Sequence, residues 1–446
     1  MYKHPLPPSS LKVYILHLDH LPSDPVTAAN YLCLQLSQQS GNGERSRGGS
    51  RPTKHRTVGA GMGDGTIPCV LSLAIKQMNL SSLARLSSLS TVFASRTLNR
   101  SIAFKPISCS SSVSVPHAPT SLNPNLPLFL RPPTFTATLS DLQKWQNWAK
   151  TLASSIGSSF TDSDNGPDSE ILHRELNWLI EDALQNPKPL LTRNDSEHDI
   201  VLQLRADLGD LYTLWKQRIE KRRPFQYIVG CEHWRDLVLS VEEGVLIPRP
   251  ETELMIDLVD DTIKQNVELK EGLWVDLGTG SGAIAIGIGR ILGDSGRVIA
   301  IDLSPIAVQV ASFNVNRYNL QDKISVKQGS WFDPLIEFEG RVAGFVSNPP
   351  YIPSRHINGL QAEVGRHEPI LALDGGEDGM SDLLHLCNGA ALMLKPGGFF
   401  AFETNGEDQC LFLVDHMETI HHDSFHNLKI IPDFAGIQRF VTGIRI

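Results

Sequence analysis

From about residue 139 the apolar positions fall into two kinds of spacing. Leu142, Trp145 and Trp148-Ala149, and then Leu172, Leu176, Leu179-Ile180 and Leu184, recur at three- and four-residue steps, the period of an amphipathic helix. Ser140 stands as the N-cap before the first of these stripes. A third series, Leu204, Leu208, Leu211-Tyr212 and Trp215, runs into a basic cluster from Arg218 to Arg223. Together they predict a small all-α domain over residues 139–222. Next come the alternating residues Leu237-Val238-Leu239-Ser240-Val241, then Gly244 and Val245-Leu246-Ile247, which predict a β-hairpin linker over 223–249. In the run Pro248-Arg249-Pro250-Glu251-Thr252-Glu253, Pro250 suits a first helical position and the acids suit the helix dipole.

From Leu273 onward, short apolar runs alternate with helical stretches. Leu273–Leu277, Val298–Ile301, Ile324–Lys327, Val342–Val346 and Phe399–Phe402 read as strands, that at Val342 as a buried one. Ala283–Leu292, a helix capped by Ser304 and running through Tyr318, and Asp382–Leu394 read as the helices between them. The segments Leu428–Ile431 and Arg439–Ile444 read as an antiparallel pair at the sheet edge. Repeated βα units predict an α/β, doubly wound parallel sheet with antiparallel edge strands over residues 250–446.

Charge separates the ends of the chain. Residues 1–77 hold eight Lys/Arg against four Asp/Glu, and residues 78–140 hold five against none. With a net charge of −9 for the whole, the remaining 306 residues carry −18. An acidic body repels a phosphate backbone, so direct nucleic-acid binding is not expected. No apolar run approaches the roughly 20 residues that span a bilayer, so no membrane partner is expected. The six cysteines form no CxxC pair, which points away from a zinc site or a disulfide framework and fits a reducing compartment.

Residues 1–77 lack periodicity and include a Gly/Arg/Ser-rich patch, which predicts a disordered extension. Residues 78–138 are rich in Ser, carry Arg85, Arg96 and Arg100, and end in the Pro-rich stretch Pro124–Pro133. That composition predicts a transit peptide followed by a linker, more chloroplast-like than mitochondrial because Ser so outweighs Arg. Its internal position predicts Met78 as the initiator and residues 1–77 as an upstream extension.

The chemistry centres on Asn348-Pro349-Pro350-Tyr351, which follows the strand at Val342. Two prolines in series cannot continue a ladder, so the corner holds a side-chain amide and several carbonyls at fixed angles. A planar NH2 group offers two donors and a poor nucleophile, and such acceptors can grip both hydrogens and aim the nitrogen. Tyr351 can cover the gripped plane as an aromatic wall. After the first strand, Gly278-Thr279-Gly280-Ser281-Gly282 lets a ligand approach the backbone, and Asp302 at the tip of the second is placed for two ribose hydroxyls. The glycine spacing departs from the dinucleotide fingerprint, although a loop and an acid alone also fit a nicotinamide enzyme. Trp331 offers a flat surface for an adenine, or simply anchors its loop.

Taken together these elements resemble the class I S-adenosylmethionine-dependent methyltransferases, specifically the HemK/PrmC family of protein-glutamine N5-methyltransferases. The resemblance runs from about Leu139 to Ile446. Beyond Asn348-Pro349-Pro350-Tyr351 it rests on Pro224-x-Gln226-Tyr227-Ile228-x-Gly230, Leu246 through Glu253, Asp276 through Ala285, and the run from Glu363-Val364 to Gly379. It implies that Gly278, Thr279, Gly280, Ser281 and Gly282 line the methionine and ribose part of S-adenosyl-L-methionine. Asp302 would bind the ribose and Trp331 would lie by the adenine, with Asn348 also at the cofactor. Asn348 and the Pro349 carbonyl would hold the substrate glutamine, with Pro350 and Tyr351 completing the corner. Two departures stand out: Ser330 replaces an acid often found there, and the later Glu-Ile-Gly signature stands as Glu403-Thr404-Asn405-Gly406.

In this family the amide belongs to the Gly-Gly-Gln tip of class I peptide chain release factors, whose methylation tunes translation termination. The transit-like segment then points to organellar release factors, in the chloroplast or alternatively the mitochondrion. The helical domain would dock the partner, or merely pack against the sheet. No general base is required, because a methylated amide nitrogen is strongly acidic. A ribosomal-protein glutamine methyltransferase and a nucleic-acid amino-methyltransferase share the same amide-gripping logic.

Overall fold

The computed structural model describes residues 126–187 and 200–446; the 1–77 extension and residues 78–125 of the transit-like stretch and linker lie outside them. Strand β1 (Phe135–Thr138) leads into α1 (Leu139–Ser154), followed by α2 (Ser159–Asp164), α3 (Ser169–Ala183), β2 (Val201–Leu204) and α4 (Leu208–Glu220). The helices bury the predicted stripes: Leu142, Trp145, Leu172, Leu176, Leu179, Leu211 and Trp215 form one core. The Trp215 indole N–H donates to the Ala149 carbonyl at 3.0 Å, so this polar atom is satisfied in the interior.

Two local expectations change. The N-cap of α1 is Thr138, whose hydroxyl accepts from the Asp141 N–H at 3.1 Å, and Ser140 lies inside the first turn. Thr138 takes the cap because it is the last extended residue of β1, which pairs antiparallel with β2. Leu204 belongs to that ladder, and α4 begins behind Asp207, whose carboxylate accepts from the Gly209 N–H. Strands of four residues are too short to leave an alternation signal.

A short helix α5 (Phe225–Val229) precedes the hairpin β3 (Cys231–Trp234) and β4 (Leu237–Ser240). The predicted hairpin is present one strand early: Val245–Ile247 is not extended ladder, and β4 pairs backward with β3. The turn holds Arg235 at φ 52°, a conformation that carries no Gly or Asn here to announce it.

A 3-10 turn at Glu251–Glu253 runs into α6 (Leu254–Gln265), as Pro250 foretold. There follow β5 (Leu273–Leu277), α7 (Ala283–Ile291), β6 (Arg297–Asp302), α8 (Pro305–Arg317), β7 (Ile324–Gln328), β8 (Val342–Ser347), α9 (Ala362–His367) and α10 (Ser381–Met393). The chain closes with β9 (Leu394–Glu403), α11 (Glu407–Ile420), β10 (Phe425–Pro432) and β11 (Gln438–Arg445). The sheet order is β10-β11-β9-β8-β5-β6-β7, with β11 antiparallel to both its neighbours. It is the doubly wound arrangement of class I S-adenosylmethionine-dependent methyltransferases. The strand order reverses between β5 and β8, which run parallel with Leu277 opposite Ser347. The loops that leave these two strands therefore start side by side.

Buried ions join the helical domain to the segment after Asn348-Pro349-Pro350-Tyr351. Arg218 on α4 is 2% exposed; it donates twice to Glu175 on α3, at 2.6 and 3.0 Å, and once to Glu363 on α9, at 2.9 Å. Arg222 also donates to Glu363 and reaches Asp164, while Asp164 accepts from the Ala362 N–H. Glu368 accepts from the Ile247 N–H and from Arg249. A buried ion is tolerated only when each partner stays paired, and removal of one partner costs about 3–5 kcal/mol. Glu363→Leu is expected to lower the unfolding free energy by up to about that amount in urea titrations, because it leaves buried Arg218 with Glu175 alone and Arg222 with Asp164 alone. A loss under about 1 kcal/mol, the size of an exposed pair, would show that the network does not hold the domains together.

Candidate active site

A cavity of about 240 Å³ opens at the carboxyl ends of β5 and β8. Gly278, Thr279, Gly280, Ser281, Asp302, Trp331, Asn348 and Pro350 all line it. Gly282, Pro349 and Tyr351 are not in the lining. Gly282 instead caps α7, where a Cβ would lie 3.3 Å from Ala311, so the glycine permits close packing of α7 on α8. Tyr351, expected as the cavity wall, turns its hydroxyl to Glu403, to which it donates at 3.0 Å. A buried carboxylate needs donors, and this one draws the tyrosine away from the cavity.

The glycine loop is shaped by backbone conformation. Gly278 and Gly280 have φ of 73° and 55°, and a Cβ at Gly280 would project into open space within the lining. Beneath the loop, Asp276 is fully buried; it accepts from the Thr279 hydroxyl at 2.6 Å and the Ala285 N–H at 3.0 Å. Burial pushes its carboxyl up to about 7. Its second oxygen and the Ser281 hydroxyl are buried without hydrogen-bond partners. Asp302 accepts from the Gly280 N–H and the Ser304 N–H, one on each oxygen, which leaves lone pairs for further donors. Burial raises its pKa as well.

Trp331 sits at φ 42°, a strained conformation for a bulky side chain. Its ring lies on the cavity and packs against His385, with ring centroids 6.2 Å apart, and the exposed Leu303 lines the cavity next to Asp302. These residues fit S-adenosylmethionine: an open glycine cradle, an unpartnered hydroxyl on the lining, a carboxylate with spare lone pairs, and a flat apolar surface. When bound, that molecule supplies an electrophilic sulfonium methyl.

The corner at Asn348 is fixed from several sides. The Ser347 hydroxyl donates to the Leu277 carbonyl at 2.7 Å, and the Tyr351 carbonyl accepts from Gln409 at 2.9 Å. Gly379 packs so closely on that carbonyl that a Cβ would meet it at 2.3 Å. The Asn348 amide N–H donates to the Thr252 hydroxyl at 3.1 Å, and Thr252 donates to Glu403 at 2.6 Å. Thr252 and Glu403 were not among the predicted site residues. Thr252 was legible only as one letter of a motif and Glu403 only as part of an altered signature, and no spacing links positions 252, 348 and 403.

Glu403 is 1% exposed, and burial pushes its carboxyl from the usual range up to about 7, against the pull of Thr252, Arg439 and Tyr351. A folded pKa above the unfolded one favours the protonated fold, so the stability this group contributes is complete below about 4.5 and lost as pH rises through about 7. The melting temperature of Glu403→Gln relative to the unaltered protein is therefore expected to climb by several degrees between these pH values and to be flat outside them. A difference that does not vary with pH would show that Glu403 titrates normally.

Comparison with known proteins places the chain in a family. A family described as ribosomal protein L11 methyltransferase (PrmA) matches residues 249–348, the stretch that carries the glycine loop and Asp302. The release factor glutamine methyltransferase of Thermosynechococcus vestitus is 37% identical over 301 residues, 67% of this chain and 97% of that one. That of Synechocystis sp. is 39% identical over 270 residues, 60% of this chain and 88% of its own. Among solved structures, the ribosomal protein L11 methylase of Lactobacillus delbrueckii subsp. bulgaricus aligns at a TM-score of 0.32 and 18% identity, over 46% of this chain and 83% of that one. With a relative this similar covered almost end to end, the chain belongs to the release factor glutamine methyltransferase family.

Proposed function

We propose that the protein transfers the methyl group of S-adenosyl-L-methionine to the side-chain nitrogen (N5) of the Gly-Gly-Gln glutamine of class I peptide chain release factors, and that it does so on organellar release factors. The observation that carries the reaction is the Asn348 corner beside the glycine loop at the strand-order switch, in a chain of this family.

The residues divide the work. Asn348 and the Pro349 carbonyl accept the two N–H groups of the substrate amide out of its plane. This localises the nitrogen lone pair and stabilises positive charge as it develops there. Asp302 and Trp331 would hold the nucleoside end of the cofactor in the cavity that Asn348 also lines. Glu403 touches Thr252 and Tyr351 rather than the cavity, in keeping with a reaction that needs no general base. The −18 charge of the body supports a protein substrate over nucleic acid.

The organellar reading rests on the transit-like composition of residues 78–138 and on cyanobacterial relatives, which favour the chloroplast over the mitochondrion. The match to a ribosomal-protein methyltransferase family favours a second reading, a ribosomal protein as substrate, although it ends at Asn348.

Mass spectrometry of a recombinant organellar release factor incubated with the protein and S-adenosylmethionine is expected to find one added methyl on the Gly-Gly-Gln glutamine. Asn348→Ala is expected to lower kcat roughly 10²–10³-fold, the loss that follows removal of one preorganised polar group. Methylation of a ribosomal protein instead would move the reading to the second substrate. Fluorescent fusions begun at Met1 and at Met78 test the address: only the latter is expected to enter chloroplasts, and cytosolic retention of both would overturn it.

A further inference from the structure

Thr252 has one hydroxyl proton and two neighbours that compete for it. Glu403 lies 2.6 Å from its oxygen and the Asn348 amide nitrogen 3.1 Å. Burial raises the Glu403 carboxyl to about 7, and above that pH the ionised group can only accept, so the proton of Thr252 is committed to Glu403 and a lone pair is all it can offer Asn348. The second oxygen of Glu403 is already taken by the Tyr351 hydroxyl. Arg439 favours the negative charge and Glu251 opposes it; Arg439 itself donates to Asp433 and to the Thr404 and Asn405 carbonyls.

The two ends of an asparagine amide are nearly the same size, so packing alone does not choose between them. Only one choice works here. With the carbonyl oxygen toward the cavity, Asn348 accepts from the substrate amide. With its NH2 group there, donor would face donor and the buried site would hold unpaired polar groups.

Resting on the methyl-transfer reading above, we propose that Thr252 and Glu403 are positioning residues: a one-way chain of hydrogen bonds from Asn348 through Thr252 to Glu403 fixes the asparagine with its carbonyl oxygen toward the substrate nitrogen. Glu403 stands behind the cavity lining; Thr252 is on the lining beside Asn348 and acts here through the asparagine amide. The chain spans three elements, the turn before α6, the end of β8 and the end of β9, so it acts only in the folded sheet.

The test compares Thr252→Val, which keeps shape and loses the hydroxyl, with Thr252→Ser, which restores the hydroxyl. Each is made in the full chain and assayed on release factor protein with both substrates saturating. Thr252→Val is expected to lose roughly 10- to 100-fold in kcat while its Kd for S-adenosylmethionine stays within about twofold; Thr252→Ser is expected to recover most of the rate. If the Val variant does not fold, as a lost cofactor affinity would reveal, Thr252→Ala reports the same quantity. A kcat within about twofold of the unaltered protein for the hydroxyl-free variant, or a Ser variant as slow as it, overturns the proposal. Absence of methylation by the unaltered protein would instead strike the functional reading.

Discussion

Everything at the site depends on one feature of the sheet: two adjacent parallel strands, β5 and β8, whose connections depart in opposite directions. Leu277 lies opposite Ser347 and the Ser347 hydroxyl locks the pair, so the glycine loop and the Asn-Pro-Pro-Tyr corner begin a single strand spacing apart. The loop needs backbone exposure and the corner needs fixed carbonyls. Helices on both faces bury the strands, and Val342–Ser347 is buried along its whole length, so neither end can drift. A methyl donor held by one loop and an amide held by the other are then brought together by topology rather than by a flexible lid.

Around that junction the protein spends buried charge to fix position. Glu403 sits behind Asn348, while Glu368 ties the linker, and Glu363 ties the helical domain, to the segment that follows Tyr351. Hydrophobic replacements of similar volume could stabilise such positions equally well, but they carry no directionality. A carboxylate that accepts from every neighbour dictates which end of each partner turns toward it. The helical domain is thus coupled to the substrate side of the site through Arg218 and Arg222, whichever surface it offers a partner.

Much of this was legible in the chain. The apolar runs of β5, β6 and β8 stand out because strands covered on both faces carry little polar alternation, whereas β7 at the sheet edge alternates; the glycine loop, Asp302 and Asn348 lie at the ends of the first three and Trp331 follows β7. What escaped notice has physical causes. The β1–β2 ladder and β3 are four residues each, and the turn between β3 and β4, Arg235-Asp236, puts its positive φ on Arg235 where no Gly or Asn marks it. Thr138 displaced Ser140 as a cap because tertiary pairing fixed where the extended chain ends. Thr252 and Glu403 are 151 positions apart, and a network across that distance exists only once the sheet has formed.

The account stands or falls on how the substrate amide is held. A crystal structure of the protein with S-adenosylhomocysteine and the Gly-Gly-Gln loop of a release factor measures it directly. The glutamine side-chain nitrogen is expected within hydrogen-bond distance of both the Asn348 side-chain oxygen and the Pro349 carbonyl, and facing the sulfur. A glutamine nitrogen held by other groups, or one turned away from Asn348, would contradict it.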